Sequence, residues 1–333
     1  MNEMRIVMLG KTGVGKSSVA NTILGEDVFQ IGLSGISETR ECRSETRCVD
    51  GRDVTLIDTP GLFDTGRSEE ELKAAIVKCI TECSPGPHAF LIVFNVGTFT
   101  KLEQEVINKI NQYFSEEAFK YATVLFTHGD QLEEGQTIEE YFHNNQRVSD
   151  LMKKCGGRCH VIDNKYWKNN QPDDYRSNQF QVKQLMKTIN HMIEKNKGSC
   201  FTNEMLQAVE KLIQEEEKQI RQSSGNKTDK EIRQKAKNRA CSRLLIKLAG
   251  VATGALLGAL LGGVFVVGAA AGGPIGLAAG LMIGAGVLGG AIKGGARGYD
   301  AAKEADTPSE AVERAADAVF NVISAFKDQK KVQ

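Results

Sequence analysis

Residues 10 to 17 read Gly-Lys-Thr-Gly-Val-Gly-Lys-Ser, a Walker A loop in the setting its chemistry requires. A short apolar strand, Arg5 to Leu9, precedes it, and a run able to form a helix, Ser17 to Leu24, follows. Strand, glycine-rich turn and helix together make a phosphate cradle. Gly10, Gly13 and Gly15 free the backbone to turn, so that the N–H groups of Lys11, Thr12, Val14, Lys16, Ser17 and Ser18 can point inward at phosphate oxygens, backed by the positive end of the helix dipole. Lys16 is the candidate for the β- and γ-phosphates, and the Ser17 hydroxyl for a bound Mg²⁺.

Working outward, the strand Val54 to Ile57 runs into Asp58-Thr59-Pro60-Gly61. An aspartate at the end of a strand beside the P-loop strand holds the Mg²⁺ shell, and the Gly61 N–H is placed for the γ-phosphate. Between the two motifs, residues 31 to 46 are polar and without periodicity, as expected of a switch loop ordered by γ-phosphate and Mg²⁺. Thr39 is the first candidate there for a second metal hydroxyl, with Ser37 behind it. Further on, the strand Ala122 to Phe126 ends in Thr127-His128-Gly129-Asp130. The Asp130 carboxylate can accept two hydrogen bonds from guanine N1–H and the exocyclic amine, a pair adenine cannot supply, so one side chain can select the base. Many GTPases carry Asn-Lys before this aspartate, where this chain has His128-Gly129. After a sixth strand, Cys159 to Ile162, comes Asp163-Asn164-Lys165; Asn164 is a second base contact, and Trp167 either shields the base or simply packs.

Lys and Arg number 42, as do Asp and Glu, a balance that argues against nucleic acid as a partner of the whole chain. The eight cysteines are scattered. Cys79/Cys83 and Cys155/Cys159 have C-x₃-C spacing, looser than a zinc knuckle, and reduced thiols are the reading adopted.

These residues together resemble the GIMAP group, the GTPases of immunity-associated proteins, relatives of the septins. The resemblance rests on Gly10 to Ser17 with Asn21-Thr-Ile-Leu-Gly25 behind it, on Ser37-Glu-Thr39-Arg-Glu-Cys42, and on Asp58-Thr-Pro-Gly-Leu-Phe-Asp-Thr65. Phe126-Thr-His-Gly-Asp130, Asp163-Asn-Lys165 and Phe201-Thr-Asn-Glu-Met205 complete it, over about residues 3 to 222. It implies a P-loop GTPase fold of the α/β class, with a doubly wound and mostly parallel sheet. It implies GTP/GDP and Mg²⁺ as cofactors, Thr39 as the metal threonine, and His128, Asp130 and Asn164 as base-reading residues. A homo-oligomer built through the nucleotide face and a role in immune regulation follow from the same resemblance. One departure bears on catalysis: Thr98 stands where hydrolytically efficient relatives present an arginine, and Leu62, not glutamine, follows the Asp-Thr-Pro-Gly motif. An arginine finger alone contributes about 10³–10⁵ in rate, so tight binding with slow intrinsic hydrolysis is expected.

The GTPase domain is expected over 1–198, followed by a helical extension with a basic stretch over 199–247. Leu206, Val209, Leu212, Ile213 and Ile220 form a helical stripe that folds back or pairs with another helix; Glu215 to Glu217 read as a solvent face. Charge then vanishes from Leu248 to Ile292, more than twice the ~20 residues that span a bilayer. Gly250, Gly254, Gly258 and Gly262 recur every fourth residue, as do Gly272, Gly276, Gly280 and Gly284, the small-residue spacing of packed membrane helices. The expectation is a hairpin anchor over 248–298 that contacts membrane through 248–292. Positive residues at both ends put both on the cytosolic face of an intracellular membrane. A hairpin packed within an oligomer, or a Gly/Ala linker, are the alternatives. Thr307-Pro308-Ser309-Glu310 opens a C-terminal amphipathic helix within 299–333.

Overall fold

The computed structural model describes residues 3–31, 42–60, 68–97, 99–167, 174–223 and 227–248. The elements in chain order are β1 (Glu3–Leu9), α1 (Lys16–Leu24), β2 (Arg43–Val49), β3 (Arg52–Asp58), α2 (Glu69–Cys83), β4 (Ala89–Asn95) and α3 (Lys101–Phe114). They continue with β5 (Ala122–Thr127), the single turn α4 (Ile138–Tyr141), α5 (Gln146–Lys154), β6 (Cys159–Val161), α6 (Asn178–Lys195), α7 (Glu204–Ser223) and α8 (Asp229–Leu248). The described residues fall into two compact units, the larger within 1–67 and 78–203, the smaller within 68–77 and 204 onward.

In the larger unit six strands form one sheet in the order β2-β3-β1-β4-β5-β6. Every pairing is parallel except that of β2 with β3, which are joined by the tight turn Asp50-Gly51. The central strands read as nearly continuous apolar runs, such as Ala89-Phe-Leu-Ile-Val-Phe94, because a parallel sheet is covered on both faces. Alternation sorts those residues. Leu91 and Val93 face a core built with Met4, Ile6 and Met8 of β1, with Val19, Ala20 and Ile23 of α1, and with Leu185, Ile189 and Met192 of α6. Phe90 and Phe94 lie on the opposite face, where Phe90 meets Phe114 of α3 with ring centroids 5.1 Å apart and Phe94 meets Phe99 at 5.4 Å.

β1 lies between β3 and β4, so the chain leaves it at the point where strand order reverses, the place where ligands of open α/β sheets sit. The α/β, doubly wound and mostly parallel class expected from the sequence is the fold observed. At the other end of β4 the chain is tied down as it leaves α6. Phe201 donates its N–H to Pro87 O at 2.8 Å and packs its ring on Phe90 and Tyr121. Its carbonyl lies where a β-carbon on Gly86 would have to go.

In the smaller unit α7 and α8 pair. The apolar stripe of α7 is buried at Leu206, Val209, Ile213 and Ile220, and α8 contributes Ile232, Ala236, Ala240 and Leu244. Glu216, read from the sequence as part of a solvent face, is instead only 3% exposed. Its carboxylate accepts from Arg243 at 2.5 Å and lies 3.8 Å from Arg239. Arg233 bridges Glu210 at 2.6 Å and Glu217 at 2.9 Å. Three cations of the basic stretch therefore serve the helix pair. Among the described residues no helix is long and apolar enough to cross a membrane. The run from 249 to 292 and the C-terminal helix expected within 299–333 lie outside the described residues.

Candidate functional site

The loop from Gly10 to Ser17 leaves the carboxyl end of β1 and enters α1 through Gly15, whose φ of 88° is left-handed and suits glycine. Gly10 is glycine for a different reason, since a β-carbon there would sit 2.6 Å from the Val93 carbonyl of β4. Gly13 is exposed, with φ of +81° and open space around it. Thr12 is half-buried, and Ser18 accepts the Thr22 hydroxyl at 2.9 Å within α1. The buried Val14 side chain plugs the loop into the core. Lys16 is buried, its ammonium donating to the carbonyls of Gly10 at 3.1 Å and Lys11 at 3.0 Å, which holds the charge inside the loop.

Ser17 and Asp58, 41 positions apart, meet directly, the Ser17 hydroxyl donating to Asp58 Oδ2 at 2.6 Å. β3 runs parallel to β1 and ends at Asp58, and the next residue, Thr59, is fastened by its hydroxyl to Met8 O at 2.6 Å. A hydroxyl and a carboxylate converging beside a buried lysine form a hard-oxygen donor set of the kind Mg²⁺ prefers. Thr39, Ser37, Gly61, Leu62 and Thr98 lie outside the described residues. Among the described residues no cluster of His, Cys, Asp and Glu has a metal-binding arrangement. The eight cysteines form no disulfide. Burial pushes the Cys155 thiol up to about 12, so it stays protonated.

Two contacts that hold the loop are not apparent in the sequence. Thr127, the last residue of β5, donates its hydroxyl to Val14 O at 2.9 Å and also meets Asn95 Oδ1 at 2.9 Å. Glu103 pairs with Lys11 while closing a capping box with Thr100 at the start of α3. Burial opposes the charge on Glu103, but the hydrogen bonds from Lys11 and Thr100 outweigh it and hold its carboxyl down at about 2. Either contact becomes readable only once β4 lies beside β1 and β5 beyond it in the sheet.

The base side is built from the ends of β5 and β6. His128 is exposed, in the left-handed region at φ 62°, with its Nδ1 3.1 Å from the Thr127 hydroxyl. Asp130 follows, and its Oδ1 is buried with no hydrogen-bond partner among the described residues. Burial first, and the neighbouring Asp163 second, raise its pKa. Asn164 is exposed, with its side-chain nitrogen so close to Gly15 that a β-carbon there would come within 2.8 Å. Its Oδ1 lies 3.5 Å from the Thr22 hydroxyl. Trp167 is buried with its indole ring over Gly129, where a β-carbon would meet the ring at 2.6 Å. The Arg176 guanidinium lies 5.8 Å from that ring. The structure thus gives Trp167 a packing contact. It gathers Asp130, His128, Asn164 and the loop at one end of the sheet.

Such an arrangement can receive a chain of phosphates in the loop and a hydrogen-bond donor edge at Asp130. Residues 4–223 match the model of the AIG1 family. Immune-associated nucleotide-binding protein 13 of Arabidopsis thaliana is 31% identical over 240 residues, covering 71% of this chain and 70% of its own. GTPase IMAP family member 8 of Mus musculus is 33% identical over 194 residues, which cover 57% of this chain and 27% of the mouse protein. Among solved structures, Toc33 from Arabidopsis thaliana in complex with GDP and Mg²⁺ aligns at 21% identity with a TM-score of 0.45, over 57% of this chain and 86% of that one. A phosphate loop at the switch point of a six-stranded α/β sheet, inside a family match that runs on through α7, leads to one assignment: the chain belongs to the AIG1 family, the group of the immune-associated nucleotide-binding and IMAP GTPases.

Proposed function

We propose that this protein is a GTP-binding switch that assembles in pairs across its nucleotide face, turns GTP over slowly and is held on a membrane through residues 248–292. The observation that carries the guanine reading is the buried Oδ1 of Asp130, just beyond β5 and without a hydrogen-bond partner among the described residues, on the same end of the sheet as the loop and Asn164. An unsatisfied carboxylate oxygen costs about 1–3 kcal/mol or more, and a guanine edge, with two adjacent N–H donors, relieves that cost where adenine does not.

The chain's own groups divide the work. Loop N–H groups bind phosphate oxygens, and Lys16 supplies a positive charge already buried in the loop. Ser17 and Asp58 would hold Mg²⁺, which when bound neutralises phosphate charge. Asn164 bounds the base pocket from the loop side. The switch loop around Thr39 and the Gly61 turn would report whether a γ-phosphate is present. With Thr98 and Leu62 at the arginine and glutamine positions, hydrolysis by the single chain is slow. The same two residues support a second reading, a GTP-bound membrane scaffold that does not hydrolyse. Membership of the AIG1 family supports a role in immune regulation.

The deciding experiment is sedimentation of the full-length chain over a range of concentrations, with GDP or a non-hydrolysable GTP analogue. A concentration-dependent dimer is expected with the analogue alone, and identical behaviour in both states would remove the switch. Repeating the runs with lipid vesicles reads the anchor, since the full chain is expected to float with vesicles and a chain ending at Arg243 is not. Hydrolysis that accelerates with protein concentration favours the switch; none at any concentration favours the scaffold.

A further inference from the structure

The turn from Asp163 to Trp167, just beyond β6, is held far more firmly than an exposed loop requires. Asp163 is 2% exposed. Its Oδ1 accepts the backbone N–H groups of Lys165 at 2.8 Å, of Tyr166, and of Trp167 at 3.3 Å, so a single carboxylate oxygen closes the whole turn. The main chain of Asp163 is clamped in turn by Asn178, the first residue of α6. Asp163 N–H donates to Asn178 Oδ1 at 3.0 Å, and Asn178 Nδ2 donates back to Asp163 O at 2.5 Å.

The two side chains displayed by this turn are the ones that touch the rest of the site. Asn164 rests against Gly15 of the phosphate loop, and Trp167 covers Gly129 beside Asp130. The Asp163 and Asp130 carboxyls also lie close enough to act on each other, and His128 from the turn of Asp130 and Lys165 from the facing turn act on Asp130 as well. Among the described residues the Asn164 side chain has only the long 3.5 Å contact with the Thr22 hydroxyl, and the Trp167 indole N–H has no hydrogen-bond partner. Both depend on a carboxylate one to four positions away that a base would not touch.

We infer that Asp163, clamped by Asn178, is the positioning residue of base recognition, and that its carboxylate, facing Asp130, sets the acidity at which guanine nucleotide is released. The inference rests on the guanine reading given above. When Asp130 is ionised both of its oxygens can accept from the base; when the carboxyl pair holds a proton, one acceptor is occupied and base binding weakens. Asp163 has two separable effects. Its turn supplies geometry, which Asn178 shares, and its charge supplies acidity, which Asn178 does not.

The test is the affinity of the full chain for a fluorescent GDP, titrated from about pH 8 down to about pH 5, with competition by inorganic triphosphate as a readout of the phosphate loop alone. The wild-type chain is expected to lose GDP affinity with a midpoint above the usual aspartate range. Asp163→Asn keeps a turn acceptor and removes the charge, so its midpoint moves to lower pH. Asn178→Ala loosens the clamp, so GDP affinity falls by about tenfold, as for the loss of one to two net hydrogen bonds, with the midpoint unmoved. Triphosphate competition is expected to be unchanged in both variants. An Asp163→Asn midpoint identical to wild type, or an Asn178→Ala affinity identical to wild type, overturns the inference. Should Asp163→Asn fail to fold, Asn178→Ala decides alone. A wild-type chain that binds triphosphate but no GDP at any pH overturns the guanine reading instead.

Discussion

Gly129 carries no β-carbon, and the Trp167 ring occupies the space one would need, with a ring carbon 2.6 Å from where it would sit. No left-handed backbone is involved, so the requirement is purely steric, and Gly129→Ala must move the ring or the end of β5. Overpacking of this kind costs about 1–3 kcal/mol. The chain contains one tryptophan, so the intrinsic emission of the whole protein reports on this contact. Gly129→Ala is expected to red-shift that emission as the indole becomes wetter and to weaken GDP binding several-fold. An unshifted spectrum with full affinity would show that the ring is not held there. At this scale the sequence was informative where a residue's chemistry is local. Gly10, Gly15, Lys16 and Ser17 announce themselves by spacing, and Asp58 and Asp130 by ending apolar strands. Thr127 and Glu103 did not, because their partners, Val14 and Lys11, lie 113 and 92 positions away, and a threonine or a helix-capping glutamate has an adequate local explanation without them.

Among the elements, α7 and α8 show how a charge pattern misleads. Three consecutive glutamates on a helix look solvated. In the structure Glu210, Glu216 and Glu217 meet Arg233, Arg239 and Arg243 across the helix pair. Helical periodicity predicted the apolar stripe correctly. It did not reveal that the charged positions next to the stripe had partners on a second helix about 20 residues on. Arg233 is the fork of this set, gripping two carboxylates one heptad apart, and a lysine cannot reproduce that geometry. Arg233→Ala is expected to speed amide hydrogen exchange along Glu204–Ser223 by about tenfold, corresponding to ~1.4 kcal/mol. Arg233→Lys should fall between it and wild type. Unchanged exchange in Arg233→Ala would mean that the apolar stripe alone sets the pairing.

Over the larger unit as a whole, the buried His88 and the half-buried His160 contribute to the response to acid. His88 is held down at about 4 by burial and by Arg5 and Arg52, and its Nδ1 accepts the Arg5 N–H at 3.0 Å. His160 is also held down at about 4, chiefly by burial, with Nε2 2.9 Å from the Thr188 hydroxyl. Both are neutral in the fold and free to protonate near 6.5 when unfolded. The unfolded chain therefore takes up more protons; the histidine contribution to stability declines as pH falls from about 6.5 toward 4 and then levels off, while Glu103, held down at about 2, goes on losing its own contribution below about 4.5. Melting temperature should drop over that window at about 2–4 °C per kcal/mol for a unit of this size. His160→Gln should flatten part of the slope, and an equal slope in that variant would assign the acid response elsewhere.

The sheet order also governs how copies of this protein can meet. One border is β2, the single antiparallel strand among the described residues, which carries Arg43, Glu45 and Arg47; the other is β6, three residues long. A charged border and a very short one are poor templates for adding a foreign strand. Continuous β-pairing between molecules is therefore disfavoured at both borders of the sheet, so the fold resists growing into a shared sheet even at high concentration.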